Sequence, residues 1–215
     1  MNRALRIILL IEKQAQKHDL PILEKEYSKN APFKILIACI LSLRTKDTIT
    51  EKASKRLFDI ADTAQKIIKL RDKSIERLIY PVGFYRNKAK TIKKISKSLV
   101  ENFSGKVPQK LEELLSLYGV GRKTANLVLG LGYNIPSICV DTHVHRIVNR
   151  LGLVKTKNPV ETEFALYKLI PKRYWIKINS ILVTFGQNIC VPVSPFCSKC
   201  IAYNYCKRTG VTKHR

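Results

Sequence analysis

Four cysteines close together near the carboxyl end of the chain constrain the fold more than any other feature of the sequence. Cys190, Cys197, Cys200 and Cys206 are separated by six, two and five residues. The first residues contain no signal-peptide cleavage site, so we expect an intracellular, reducing environment in which clustered cysteines bind metal rather than form disulfides. Zinc sites usually consist of two C-x-x-C pairs, whereas a single pair with outlying cysteines is more typical of an iron-sulfur cluster. The spacing therefore favours an iron-sulfur cluster over zinc or unrelated buried thiols, with a C-terminal segment that folds around it.

Apolar residues recur at helical spacing along most of the chain, and no segment shows the alternation of a strand. In the range 85–103, the apolar positions are Tyr85, Ala89, Ile92, Ile95, Leu99 and Phe103, and we assign the opposite face to Lys88, Lys90, Lys93, Lys94 and Lys97. The range 33–43 is apolar almost all round, which predicts an interior helix with Pro32 in its first turn. Cys39 and Cys139 are predicted to be buried core residues. We expect an all-α fold.

The chain is strongly basic, with 40 Lys and Arg against 16 Asp and Glu and a formal net charge of +24. Such an excess of positive charge indicates a polyanionic partner, and nucleic acid is the obvious candidate. A lysine-rich composition can also reflect life at high temperature or a biased genome. No apolar run near the amino end is long enough to span a bilayer, so we expect no membrane partner.

A glycine-rich segment, Gly119-Val120-Gly121, directly precedes a predicted helix that starts with Arg122 and Lys123. The inner face of this helix would hold Ala125, Val128 and Leu129. Glycines allow a tight turn and a close approach to a ligand, and the free N–H groups at a helix start favour phosphate. The segment therefore predicts a hairpin that binds a DNA backbone without reading its sequence. An ordinary connection between two helices is the alternative.

Lys123 and Asp141 are the candidate catalytic residues. The like charge of Arg122 and the helix dipole disfavour the ammonium form of Lys123, and a neutral amine can form a Schiff base with a sugar aldehyde. The alternative is that Lys123 is one of many solvated surface lysines. Asp141 precedes a second predicted helix, where it would cap the helix, stabilise positive charge on a deoxyribose that loses its base, or do both.

Taken together, the segment 119–125, the segment 140–143 and the cysteine spacing resemble the endonuclease III family. The resemblance extends over almost the whole chain, from Pro32-Phe33 and Thr45-Lys46-Asp47 through 82–85 to Cys206. It implies a two-lobed helix-hairpin-helix glycosylase fold. Residues 25–135 would form a six-helix barrel domain with the helix-hairpin-helix motif, and both chain ends, 1–24 and 136–215, would form an iron-sulfur cluster domain.

The resemblance also implies a function in DNA base excision repair. The protein would be a bifunctional DNA N-glycosylase that removes oxidised or damaged pyrimidines from double-stranded DNA and cleaves the abasic site by β-elimination. The damaged nucleotide would be flipped out of the duplex, and Lys123, activated with help from Asp141, would form the Schiff base. The implied DNA-binding residues are Gly119, Val120, Gly121, Arg122, Arg44, Phe84 and His143. The four clustered cysteines would hold a 4Fe-4S cluster in a monomer, located in the cytoplasm with the nucleoid if the source is prokaryotic.

Three positions depart from the family pattern. Tyr118 stands where Pro is common, Arg44 where Gln is common and Phe84 where Leu is frequent. Arg44 can fill the gap left by a flipped base through stacking, and Phe84 can serve as an aromatic wedge. A mismatch-specific glycosylase of the same fold, acting on thymine or adenine opposite guanine, is the main alternative, although Lys123 argues against an adenine-specific enzyme. A non-catalytic DNA-binding module would need no amine and acid at these two positions.

Overall fold

The computed structural model describes residues 2–21 and 31–215, and all regular secondary structure in these ranges is helical. The predicted all-α fold is therefore confirmed for the described residues. They divide into two compact units, one formed by 31–135 and the other by 2–21 together with 136–215. The predicted domain boundary between residues 24 and 25 lies outside the described residues.

The helices are short and follow one another closely along the chain. The unit 31–135 contains α2 (Pro32–Ser42), α3 (Asp47–Ile60), α4 (Ala64–Lys69), α5 (Asp72–Ile79), α6 (Tyr85–Phe103), α7 (Leu111–Leu115) and α8 (Arg122–Leu127), which continues as a π-helical turn, Val128–Gly132. The other unit contains α1 (Arg3–Ala15), α9 (Thr142–Arg150), α10 (Pro159–Leu169) and α11 (Trp175–Asn188), with 3₁₀ turns at Lys172–Tyr174, Cys197–Lys199 and Tyr203–Tyr205. No helix in the described ranges is both long and apolar enough to cross a membrane.

Helix α2 lies at the centre of the unit 31–135, where it packs against α3, α6, α8 and the π-helical turn. Every residue from Ile35 to Leu41 is buried, including Cys39. Pro32 begins the helix, as predicted, and the backbone leaves helical geometry at Leu43, where ψ is 117°. Burial of each Ile or Leu side chain contributes about 1.5–3 kcal/mol, so this run is a major source of stability for the unit.

Helix α6 has the predicted bounds and buries Ala89, Ile92, Ile95 and Leu99. The assignment of Lys88 to its exposed face is wrong, because the structure buries this lysine with only 7% of its surface accessible. Position 88 lies four and seven residues before Ile92 and Ile95, so it shares their face of the helix. Its long apolar stem packs in the core while its amine finds hydrogen-bond acceptors there.

The second unit brings both ends of the described chain into one core. Helix α1 packs on α11, which also packs on α9. Asn2 caps α1 by accepting a hydrogen bond from the Leu5 amide at 2.8 Å. The α1 face formed by Ile7, Ile8 and Ile11 is buried in the same apolar cluster as Phe185.

Candidate active site and cysteine pocket

The glycine hairpin lies between α7 and α8, and its two glycines have different environments. Gly119 has φ +75°, a left-handed conformation that favours glycine, and a Cβ there would lie 3.1 Å from the Thr91 methyl carbon. Gly121 has φ −99° and caps α8, and an added Cβ would meet nothing within 4 Å. Val120 is buried between them. Gly119 therefore makes the turn, whereas Gly121 leaves its surroundings open to a ligand.

Lys123 is exposed on the first turn of α8, next to the half-buried Arg122. The inner face predicted for this helix is confirmed, since Ala125, Val128 and Leu129 are all buried. Burial raises the pKa of the Cys39 thiol to about 12, and the positive charge of Lys123 acts in the opposite direction. The charge of Lys123 on α8 therefore influences the pKa of Cys39 on the central helix α2.

Asp141 is the N-cap of α9, as predicted, and it belongs to the other compact unit. Its carboxylate accepts a hydrogen bond from the Val144 amide at 2.8 Å, and the residue is half-buried. His143 on the first turn of α9 is also half-buried, with its Nδ1 3.1 Å from the Arg146 guanidinium. A Cβ at Gly186 of α11 would lie 2.5 Å from the same Nδ1, so the glycine is needed for this close packing.

Arg44 and Phe84 are brought together within the unit 31–135. The Arg44 guanidinium carbon lies 5.8 Å from the centre of the Phe84 ring. Both side chains are exposed, Phe84 with 61% of its surface accessible. Both residues have left-handed backbones, with φ 52° for Arg44 and φ 58° for Phe84. Such conformations are unfavourable for residues other than glycine and persist where the surrounding structure holds them.

The four clustered cysteines line one pocket in the unit formed by the chain ends. The space that the centre of a water-sized sphere can occupy in this pocket is only about 20 Å³, so the side chains that line it lie close together. Cys39 and Cys139 lie outside the pocket and are buried, as predicted.

Three thiols in this pocket, those of Cys197, Cys200 and Cys206, have raised pKa values and are difficult to ionise without a cation. Burial raises the pKa of Cys200 to about 11, and the neighbouring cysteine thiolates also raise it. Burial likewise raises the pKa values of Cys197 and Cys206, again with a contribution from the neighbouring thiolates. Within residues 2–21 and 31–215, no three His, Cys, Asp or Glu side chains form a group that could hold a metal ion as they stand. The structure therefore shows that the four cysteines share one pocket, and it shows no assembled metal site among the described residues.

Two arginines on α9 contact the segment that begins at Cys190, and sequence reasoning did not identify them. Arg146 donates to the Cys190 carbonyl at 2.8 Å and to the Gly186 carbonyl at 3.1 Å. Arg150 donates to the Val191 carbonyl at 2.8 Å and lies 3.5 Å from the Cys190 sulfur. Positions 143, 146 and 150 share one face of α9 because they are three and four residues apart. This spacing is the feature of the sequence that could have grouped the two arginines with His143.

The sequence and the structure were compared with those of known proteins, and both comparisons give base excision repair proteins. Residues 37–172 match the family model described as HhH-GPD superfamily base excision DNA repair protein. Endonuclease III of Thermotoga maritima is 50% identical over 183 residues, covering 85% of this chain and 86% of the relative. Endonuclease III of Haemophilus influenzae is 36% identical over 207 residues, covering 96% and 97%. A trapped endonuclease III-DNA covalent intermediate superposes with a TM-score of 0.84 at 34% identity, covering 97% of each chain. The chain therefore belongs to the HhH-GPD superfamily of base excision DNA repair proteins.

Proposed function

We propose that the protein is a bifunctional DNA glycosylase and abasic-site lyase of the endonuclease III type, acting on oxidised or damaged pyrimidines in double-stranded DNA. The observation that carries this proposal is the placement of an exposed lysine, Lys123, on the first turn of the helix that follows the glycine hairpin. An amine at this position supplies the nucleophile that a lyase needs. The solved relative trapped as a covalent intermediate with DNA supports the same chemistry.

In the proposed reaction, the neutral amine of Lys123 attacks C1′ of the flipped nucleotide, and the bond between C1′ and the base breaks. The base leaves with a proton, the sugar ring opens, and a protonated Schiff base joins Lys123 to C1′. Loss of a proton from C2′ then breaks the bond to the 3′ oxygen, which cleaves the strand. Water hydrolyses the Schiff base and releases Lys123. Asp141 stabilises the positive charge that develops on the sugar and assists the proton transfers of Lys123.

The remaining predicted site residues have roles in binding. Gly119, Val120, Gly121 and Arg122 form the hairpin that grips the DNA backbone. Arg44 and Phe84 enter the duplex and replace the contacts of the flipped nucleotide. His143, held by its contact with Arg146, supports the DNA-binding surface near Asp141. The substrate is double-stranded DNA, so if the source is prokaryotic we place the protein with the nucleoid in the cytoplasm, and we propose that it acts as a monomer.

In the same proposal, Cys190, Cys197, Cys200 and Cys206 would hold a 4Fe-4S cluster. Two observations support this assignment: all four cysteines line one pocket, and one C-x-x-C pair with two outlying cysteines is more typical of a cluster than of zinc. When bound, the cluster supplies cationic cross-links that keep the thiols ionised and tie the segment 190–206 together. The main-chain amide of Arg208 donates to the Cys206 sulfur at 3.3 Å, and such hydrogen bonds help to hold a ligating thiolate.

Metal analysis tests the cluster assignment. The purified protein should contain about four irons per chain with broad visible absorption. Cys200→Ser should lose most of both, whereas Cys139→Ser should lose neither, because Cys139 lies outside the pocket. Stoichiometric zinc with no iron would contradict the assignment.

The function is tested by measuring base release and strand cleavage on a duplex that contains one oxidised pyrimidine, in parallel with a duplex that contains a thymine-guanine mismatch. We expect both reactions on the oxidised substrate, and loss of both in Lys123→Gln. The mismatch-specific alternative is not favoured, because the relatives reported above are named endonuclease III. Activity on the mismatch alone, without strand cleavage, would replace the proposal with that alternative.

A further inference from the structure

Lys88 is a buried lysine whose hydrogen-bond acceptors belong to one short segment of the chain. Its ammonium group donates to the Leu41 carbonyl at 2.8 Å, to the Thr45 hydroxyl at 3.1 Å and to the Leu43 carbonyl. Burial lowers the pKa of Lys88 to about 8, which reflects the cost of removing an ammonium from water. A methionine would fill the same space without this cost. The hydrogen bonds, rather than packing, therefore distinguish lysine at this position.

Thr45 extends the hydrogen bonding from Lys88 to a second turn. The Thr45 hydroxyl donates to the Leu43 carbonyl at 3.3 Å, and it accepts from both Lys88 and the Gly83 amide, the latter at 3.2 Å. The turn after α2 and the turn before α6 are thus joined through one hydroxyl. Their backbones also touch, because a Cβ at Gly83 would lie 2.7 Å from the Arg44 carbonyl oxygen.

These two turns carry Arg44 and Phe84. Each residue has a left-handed backbone, and nothing in its own side chain favours that conformation. Lys88 and Thr45 form hydrogen bonds at the turn that carries Arg44, and Thr45 also accepts one from the turn that carries Phe84. Arg56, from α3, donates to the Leu78 carbonyl at 2.9 Å and to the Tyr80 carbonyl, both just ahead of the Phe84 turn.

We propose that Lys88 is a positioning residue that acts through Thr45 to hold the Arg44 and Phe84 turns side by side, so that both side chains enter the duplex together. This inference rests on the proposed function, in which these side chains replace the contacts of the flipped nucleotide. The contacts of Lys88 described above lead to the two turns, so its loss should impair engagement of a duplex more than the chemistry on the sugar. A single strand has no stacked partner and no gap to fill, and it should not need the positioned pair.

Single-turnover strand cleavage of one abasic oligonucleotide, as a duplex and as a single strand, tests this proposal. Lys88→Met keeps the side-chain volume, and Thr45→Val keeps the shape but removes the hydroxyl. A small displacement of positioned groups costs up to about a hundredfold in rate, so we expect both variants to lose about ten- to a hundredfold on the duplex. On the single strand they should lose less than about threefold. Equal losses on the two substrates would overturn the proposal, because general destabilisation affects both alike.

Two control variants accompany this experiment. Lys97→Met removes a lysine from the same helix, but Lys97 is exposed and lies 3.6 Å from Glu101, so both rates should stay at the wild-type value. Thr45→Ser keeps the hydroxyl and should restore most of the duplex rate that Thr45→Val loses. Failure of serine to restore that rate would contradict the role given to the hydroxyl.

A fluorescence measurement tests insertion without relying on catalysis. 2-Aminopurine opposite an uncleavable abasic analogue brightens when it is unstacked, so wild type should raise its emission on binding, and saturating Lys88→Met should raise it much less. A full rise with Lys88→Met would overturn the proposal.

If the wild type forms no borohydride-trapped adduct with any abasic substrate, the proposed function fails. If it does, and Lys88→Met matches it in both experiments, only the role of Lys88 fails.

Discussion

Asp141 has a structural role, as the N-cap of α9, and a proposed chemical role, and a pair of substitutions separates them. Its carboxylate accepts a hydrogen bond from the Val144 amide at 2.8 Å. Asn caps a helix about as well as Asp, whereas replacement of a good cap by Ala costs about 0.5–2 kcal/mol. Asp141→Asn therefore removes the charge and keeps the cap, and Asp141→Ala removes both.

The structure sets the expected magnitudes. Asp141→Asn should lose the interaction of a negative charge with the helix N-terminus, about 0.3–1 kcal/mol, together with the attraction of that charge to Arg146. Asp141→Ala should lose the cap as well. In a chain of this size, each kcal/mol lowers the melting temperature by about 2–4 °C. If the carboxylate stabilises charge in the transition state, both variants should lose about 10²–10³ in the rate of base release.

Thermal unfolding and single-turnover base release, measured on the same preparations, distinguish the two roles. Asn158→Ala is the control, because Asn158 caps α10 by accepting from the Glu161 amide at 2.9 Å in the same unit. It should lower the melting temperature about as much as Asp141→Ala does and leave the rate of base release unchanged. Asp141→Asn with a rate within about threefold of wild type would refute the chemical role and leave only the cap.

Three further predictions concern the hairpin, the buried lysine and the charge. Gly119→Ala should cost about 1–2 kcal/mol of stability because φ is +75°, whereas Gly121→Ala should change stability by less than about 0.5 kcal/mol and weaken DNA binding. Equal melting temperatures for the two alanine variants would contradict this assignment. Burial lowers the pKa of folded Lys88 to about 8, below its value in the unfolded chain, about 10.4. The unfolded chain therefore binds more protons than the folded protein between these pH values. We expect the difference in the free energy of unfolding, wild type minus Lys88→Met, to rise with pH in this range and to stay constant below pH 8. A difference that falls with pH in urea titrations would be inconsistent with a buried ammonium. Binding to undamaged duplex should weaken by at least about 10³ between 50 and 200 mM salt if six or more phosphates are contacted. An affinity independent of salt would exclude a phosphate-dominated interface.

The sequence predicts the helices of this protein well where apolar spacing is regular. The bounds of α6, the buried run of α2 and the Asp141 cap follow from local periodicity and capping chemistry, which depend on neighbouring residues only. The sequence misplaces Lys88 because its residue type favours the exposed face of α6, whereas its helical position lies on the buried face. Its burial depends on the carbonyls at the end of α2 and on Thr45, and contacts between distant segments cannot be read from local spacing.

The candidate site also contains features that the sequence predicts and features that it does not. The glycine hairpin, Lys123, Asp141 and the cysteine spacing are local motifs that the sequence displays directly. The contact between Arg44 and Phe84 and the hydrogen bonds from Arg146 and Arg150 to the Cys190 segment join residues about forty positions apart. Local sequence patterns do not predict such contacts, because they form only when the fold brings the two segments together.

The central claim is that Lys123 becomes covalently attached to the sugar, and borohydride trapping with peptide mapping tests it most directly. Wild-type protein incubated with a duplex that contains an oxidised pyrimidine should give a stable adduct whose modified peptide contains Lys123. Lys123→Arg, which keeps the charge but cannot form a Schiff base, should bind the duplex and give no adduct. An adduct that persists in Lys123→Arg, or base release by wild type without any adduct, would contradict the account.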